Sequence, residues 1–202
     1  MSAPKHAIRL LRLAAKQPAL SARELSAAGI PARTVSRLAA QGQVRRVGRG
    51  LYTGSGSSPS VHQSAIEVVK QAPKAVVCLL SALEIHGIGV QAPFEVWIAL
   101  PAGTHAPKST QAALRVTRLS GAAFTEGVET IVLDGAPVRV YNLAKTITDC
   151  FKLRNKVGLD VALEALREAW QQRKVTMDEL WRYAKVNRMT NVMRPYLEAL
   201  TG

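Results

Sequence analysis

Eight polar side chains in one short stretch could together grip a polyanion. Arg33, Thr34, Ser36, Arg37 and Gln41 stand close together, and Arg45, Arg46 and Arg49 follow at once. An arginine guanidinium is a planar fork that meets phosphate oxygens, or the O6 and N7 edge of guanine, with two parallel hydrogen bonds. Hydroxyl and amide groups beside it add single bonds to phosphate or base. The chemistry on offer is recognition of duplex DNA. A second constellation lies far downstream, where Lys145 and Asp149 put an ammonium and a carboxylate one helical turn apart. It reads either as a functional group or as a surface ion pair worth a few tenths of a kcal/mol. Ser81, Glu84 and His86 invite a catalytic reading too, but the serine and glutamate explain each other as a helix cap.

The elements that must position the first group follow from local chemistry. Ser21 with Glu24 three residues on makes a capping box, so a helix begins at Ala22. Gly29 can close it in the left-handed conformation, and Pro31 suits the first turn of the next helix. In that second helix Val35, Leu38 and Ala39 fall on one side. The other side presents Arg33, Arg37 and Ala40, with Ser36 and Gln41 flanking. After Gly42 the run VRRVGRGLYT predicts a hairpin turning at Gly48-Arg49-Gly50, with Arg45, Arg46 and Arg49 clustered on it. A basic recognition helix beside a basic hairpin is the plan of a helix-turn-helix with a wing. Upstream, Ile8, Leu11 and Ala15 recur at helical spacing from Lys5 to Lys16, and Pro18 ends that helix near Gln17. This first helix is expected to pack across the other two.

Charge points the same way. Of the 27 Lys and Arg, ten lie in residues 1–60 against the single acid Glu24, so the +13 excess is concentrated where the arginines are. Such a field draws nucleic acid or an anionic membrane surface. No long apolar run marks a span, and LLRLAAK is interrupted by Arg12, unlike a signal peptide core, so a cytoplasmic protein is expected. His6, His62, His86 and His105 show no ligand spacing, and Cys78 and Cys150 sit in apolar patterns as free thiols. Neither a metal, a cofactor nor a disulfide is expected.

The chain then divides into residues 1–54, a Gly/Ser linker at 55–60, and a second domain at 61–202. In the latter, Ser60 with Gln63 can cap a helix carrying Ile66 and Val69, and AVVC at 75–78 reads as a short buried strand. Ser81 and Glu84 should cap the helix that follows. FEVWIALP and LRVTRL alternate as strands, and GVETIVL and PVRVY flank Asp134-Gly135, a strong hairpin signal. From Asn142 onward the chain is helical, with stripes of Leu143, Ile147 and Phe151, and of Leu163, Leu166 and Trp170. Thr176 and Glu179 form another capping box, and Thr190 precedes a last helix bent or interrupted at Pro195. The fold class is α+β: a winged helix-turn-helix, then a small mostly antiparallel sheet with helices on one side and a C-terminal helical bundle.

Taken in order, GIPARTVSRLAAQGQVRRVGRGLY, SALEIHGI, VWIALP, GVETIVLDGAPVRVYNLAKTITDCFK and NVMRPYLEAL resemble the AbiEi antitoxins of type IV toxin-antitoxin and phage-defence systems. The resemblance spans nearly the whole chain. It implies a winged helix that represses its own operon at inverted repeats, and a C-terminal domain that counters a nucleotidyltransferase-like toxin without a stable complex. It further implies Arg33, Ser36, Arg37, Arg45, Arg46 and Arg49 as DNA-contacting residues, and the segment around Lys145, Thr146 and Asp149 for the antitoxic activity. No long heptad seam exists, so a monomer or a pair assembled on DNA is expected. Two rival classes remain. A winged-helix-targeted nuclease would want a strand-borne acid-x-Lys motif for magnesium, which Glu95-Val96-Trp97 fails to supply. A ligand-responsive regulator would hold a small molecule on the second domain's sheet. The leading reading is a DNA-binding regulator that is not an enzyme.

Overall fold

A computed structural model describes residues 3–56, 61–89, 94–107 and 112–200. The chain forms two compact units. One comprises residues 1–73 with 105–113 and 131–138, the other residues 74–104, 114–130 and 139–202.

The first unit opens with α1 (Ala3–Lys16), β1 (Leu20–Ser21), α2 (Ala22–Ala27) and α3 (Ala32–Ala40). The strands β2 (Val44–Gly48) and β3 (Leu51–Gly54) and the helix α4 (Gln63–Gln71) follow. The capping box at α2 is formed: Ser21 Oγ accepts from the Glu24 amide at 3.2 Å, and the Ser21 amide donates to Glu24 Oε2 at 2.7 Å. Gly29 takes φ +69° and turns the chain into α3. Leu10, Leu20, Leu25, Ile30, Val35, Leu38 and Val44 make the core. The expected stripe on α1 is corrected here. Ile8 (53 % exposed), Leu11 and Ala15 face outward, and Leu10 and Ala14 are buried. Two apolar registers coexist on that helix, and packing against α3 and β3 selects one of them. Strand β1 was not anticipated; it pairs antiparallel with β3, Leu20 opposite Tyr52, and completes a sheet ordered β1-β3-β2.

Helix α4 departs from the sequence reading at both ends. Ser60 and most of the linker, residues 57–60, lie outside the described residues, and the helix starts at Gln63 behind His62, without a side-chain cap. Its residues group with the first unit although the sequence boundary assigned them to the second. The reason is burial: Ile66 and Val68 are fully enclosed, and α4 packs on β1 and β3.

After α4 come β4 (Val76–Val77), α5 (Leu79–Ile85), β5 (Glu95–Pro101), β6 (Ala113–Leu119), the short α6 (Ala122–Thr125), β7 (Val128–Leu133) and β8 (Ala136–Tyr141), all in the second unit except Ala113 and the hairpin end of β7 and β8, residues 131–138, which group with the first. The helices α7 (Leu143–Lys152), α8 (Arg154–Val157), α9 (Leu159–Gln171), α10 (Met177–Asn187) and α11 (Thr190–Glu198) complete the second unit. The sheet runs β6-β5-β4-β8-β7, with β4 antiparallel to β5 and parallel to β8. This is a mixed α and β architecture. Asp134 and Gly135 both take positive φ, +48° and +79°, as a tight two-residue hairpin turn requires. Helix α7 lies against α5, α9 and α10, and Ile147, Phe151, Leu166, Leu180 and Met193 fill the core around it.

Three expectations change in this unit. Val96 to Leu100 are all buried, so β5 is a central strand covered on both faces, not the alternating strand of a half-exposed sheet. Ser81 does not cap a helix. It sits inside α5, behind the N-cap Cys78, and its Oγ accepts from the Trp97 amide at 3.0 Å, tying the helix to β5. On α9 the buried face centres on Ala162, Ala165, Leu166 and Ala169, with Leu163 and Trp170 at its margin. Small residues let α9 approach α7 closely, which a count of large apolar side chains cannot reveal.

Candidate nucleic-acid interface

Helix α3 buries Thr34, Val35 and Leu38 and exposes Arg33, Ser36, Arg37 and Ala40, with Gln41 exposed at its C-cap. Thr34, placed among the DNA contacts in the sequence reading, is 5 % exposed and belongs to the core side, one position round the helix from Arg33. The remaining polar groups share one face. On the hairpin, Val44 and Val47 point inward and Arg45, Arg46 and Arg49 outward. Residues 45 and 46 face out in succession because the β2–β3 register is irregular between Arg46 and Gly48. Arg46 Nε donates to the Gly48 carbonyl at 3.1 Å, which holds its guanidinium along the hairpin edge. Five exposed arginines on α3 and the hairpin following it can donate many hydrogen bonds to phosphates and to base edges in a groove.

The second candidate group is differently placed. Lys145, Thr146 and Asp149 on α7 are 0 %, 0 % and 1 % exposed. The ion pair that sequence spacing put on a helix surface is a core feature. Lys145 Nζ donates to both Asp149 oxygens, at 2.6 and 2.5 Å, and lies 4.3 Å from the centre of the Tyr141 ring. Asn187 on α10 donates to Asp149 Oδ1 at 2.7 Å and to Thr148 Oγ1 at 3.0 Å. Thr146 donates to the Tyr141 carbonyl at 3.1 Å. Burial pulls the Lys145 ammonium below its usual range and pushes the Asp149 carboxyl above its own, each opposed by the partner's charge.

The N-cap Asn142 accepts from the Lys145 amide at 2.9 Å and donates to the Tyr183 hydroxyl at 2.7 Å, a second tie between α7 and α10. This network fastens two helices side by side, and none of its four charged or hydroxyl groups on α7, Lys145, Thr146, Thr148 and Asp149, reaches solvent. His86 is likewise held in place: its Nε2 donates to the Tyr141 carbonyl at 2.8 Å. Cys78 and Cys150 are buried free thiols, pushed up in pKa by burial and so not nucleophilic thiolates. Among the described residues no group of three or more His, Cys, Asp or Glu could hold a metal, and no helix is long and apolar enough to cross a membrane.

An arginine-lined helix face followed by a basic hairpin, in a mixed α and β chain, defines a candidate polyanion-binding module. Comparison with known proteins makes this more particular. Residues 9–53 match the family model described as a transcriptional regulator, AbiEi antitoxin. The likeness read from the sequence thus holds over the segment that carries all five exposed arginines. The fold resembles the crystal structure of the RV2827C protein from Mycobacterium tuberculosis, with TM-score 0.60 and 14 % identity over 90 % of this chain and 72 % of that one. At that identity the likeness speaks to the fold alone. No curated protein sequence matches the chain significantly.

Proposed function

We propose that the chain is a sequence-specific DNA-binding autorepressor and antitoxin of a type IV toxin-antitoxin operon, acting in the cytoplasm without catalysis of its own. On this reading the first unit is a winged helix-turn-helix. Helix α3 enters the major groove with Arg33, Ser36, Arg37 and Gln41, and the β2–β3 hairpin is the wing, with Arg45, Arg46 and Arg49 on phosphates or in the minor groove. The observation that carries it is the outward face of five arginines within the segment matching a transcriptional-regulator family. Binding to inverted repeats in its own promoter pairs two copies on DNA, and the second unit counters a nucleotidyltransferase-like toxin encoded alongside. The buried Lys145–Asp149 pair serves that second activity indirectly, by holding α7 against α10 and so shaping the surface those helices present.

A gel-shift titration of the full chain on its own upstream DNA, with shuffled DNA as control and salt varied, tests the first half. A preference of about a thousandfold at physiological salt with a steep salt slope is expected. Arg37→Ala should relax base preference at a cost of about 1–3 kcal/mol, and Arg49→Ala should weaken all sequences alike with a shallower slope. Equal affinity for both DNAs would sink the autorepressor reading. For the second half, co-expression with the neighbouring toxin should restore growth, and should still do so with Arg37→Ala/Arg49→Ala.

A further inference from the structure

Helix α4 lies beyond the segment that the family model matches and beyond the linker, yet it meets the reader at two points, by an ion pair and by packing. The first is an ion pair. Lys70 Nζ, on a side chain only 7 % exposed, donates to Glu24 Oε1 at 2.7 Å and to Gln17 Oε1 at 2.9 Å. Glu24 is the same residue that closes the capping box of α2, through its other oxygen. The carboxylate therefore joins the start of α2 to the end of α4, and the Lys70 ammonium adds the residue after α1. Burial alone would raise its pKa, but the hydrogen bonds from Lys70 and Ser21 outweigh that and hold it below the ordinary value. The second point is the hairpin. A Cβ added at Gly48 would stand 2.9 Å from Gln71 Nε2, so the last residue of α4 rests directly on the strand where the β2–β3 register is irregular. Arg46, whose side chain bonds the Gly48 carbonyl, and Arg49 flank that spot. Ahead of both points on α4, Ile66 and Val68 are fully buried, and the helix also packs on β1 and β3. Gln63 Nε2 adds a longer bond to the Pro18 carbonyl at 3.4 Å.

We infer that α4 is a brace for the wing, with Lys70 and Gln71 as positioning residues that set the hairpin's angle to α3, so that the DNA reader extends to residue 73. The inference rests on the DNA-binding reading above. Neither Lys70 nor Gln71 touches DNA in this scheme. Lys70 anchors α4 to α2, and Gln71 transmits the position to Gly48.

A brace acts by preorganisation, and this separates it from a phosphate contact. If the wing sits correctly in a tenth of unbound molecules, apparent affinity falls about tenfold, independently of salt. Loss of a phosphate contact instead flattens the salt slope by about 0.9.

The experiment uses the full chain with Lys70→Met, Lys70→Arg, Gln71→Ala and Arg49→Ala. Promoter affinity is measured across a salt series, and amide exchange is followed over residues 44–54 and over α1. Lys70→Met should weaken promoter binding about tenfold with the wild-type salt slope and an unchanged preference over shuffled DNA. Exchange in the hairpin should speed up, and that in α1 should stay as in wild type. Lys70→Arg should restore both, and Gln71→Ala should show the same signature more weakly. Arg49→Ala should flatten the slope with hairpin exchange unchanged. If Lys70→Met and Gln71→Ala bind and exchange like wild type, the brace is wrong and the DNA reading stands. If Lys70→Met flattens the slope, Lys70 is a phosphate contact and not a brace. If the wild-type chain shows no promoter preference, the DNA reading fails and the brace as a DNA-positioning device fails with it.

Discussion

Replacing Lys145 by methionine tests whether the second unit is organised around a desolvated charge pair. Methionine keeps most of the length and apolar stem and removes the ammonium. In the wild-type protein Asp149 receives two bonds from Lys145 and one from Asn187, and it is 1 % exposed. Without the lysine the carboxylate must either stay charged in the core with a single strong donor or take up a proton. Protonating an ordinary aspartate at pH 7 costs about 1.36 kcal/mol for each of roughly three pH units, or about 4 kcal/mol, and this caps the penalty. The figure agrees with the roughly 3–5 kcal/mol typical when one partner of a buried pair is removed. In the variant the folded state binds a proton that the unfolded state does not. Its deficit therefore shrinks as pH falls, to about 1.5 kcal/mol at pH 5. Urea unfolding of wild type and Lys145→Met at pH 7 and pH 5 reads both numbers. Lys145→Met/Asp149→Leu, which removes both charges, should recover most of the loss. A deficit under about 1 kcal/mol at pH 7, or one equal at both pH values, would show that the pair is solvated and the reasoning wrong.

Other perturbations follow from particular contacts. Gly127, at φ +75°, has Lys145 Cβ 2.8 Å and Tyr183 Cε1 3.1 Å from where its own Cβ would be; Gly127→Ala should destabilise by about 2–4 kcal/mol in the same unfolding assay. Asn142→Ala removes the α7 cap and the bond to Tyr183 and should cost about 1–2 kcal/mol, and Asn142→Ser, which caps but is too short to reach Tyr183 as well, should recover the cap alone. Glu24 has a lowered pKa in the folded state, so its contribution is complete above the ordinary glutamate value of about 4.3 and is lost as pH falls below it. Thermal melts of the first unit's signals should therefore weaken between about pH 5 and pH 3 in wild type, and much less in Lys70→Met.

Local chemistry in the sequence was enough to locate the arginine face. A capping box at Ser21 and Glu24, a left-handed glycine at 29 and helical spacing from Arg33 to Ala40 each depend on neighbours within four residues. So do the Asp134-Gly135 turn and the Thr176–Glu179 box. The structure realises all of them. What failed or was absent depends on partners distant in the chain. Leu10 rather than Ile8 faces the core because α1 must fit α3 and β3. Ser81 sits inside a helix because Trp97 on β5 offers it an amide. Thr34 is buried although its neighbours on both sides of the exposed face are arginine and serine, since a rotation of one residue decides which flank of a helix meets solvent. Lys145 and Asp149 show the difference most plainly. Their four-residue spacing guaranteed that they could pair, and only the packing of α10 over α7 decided that they pair out of water, where removing one of the two charges costs several kcal/mol and not a few tenths. Lys70 reaching Glu24 across 46 positions carried no local signal at all. A sequence displays the interactions that its own backbone spacing enforces, and desolvation is a property of what the rest of the chain brings to cover them.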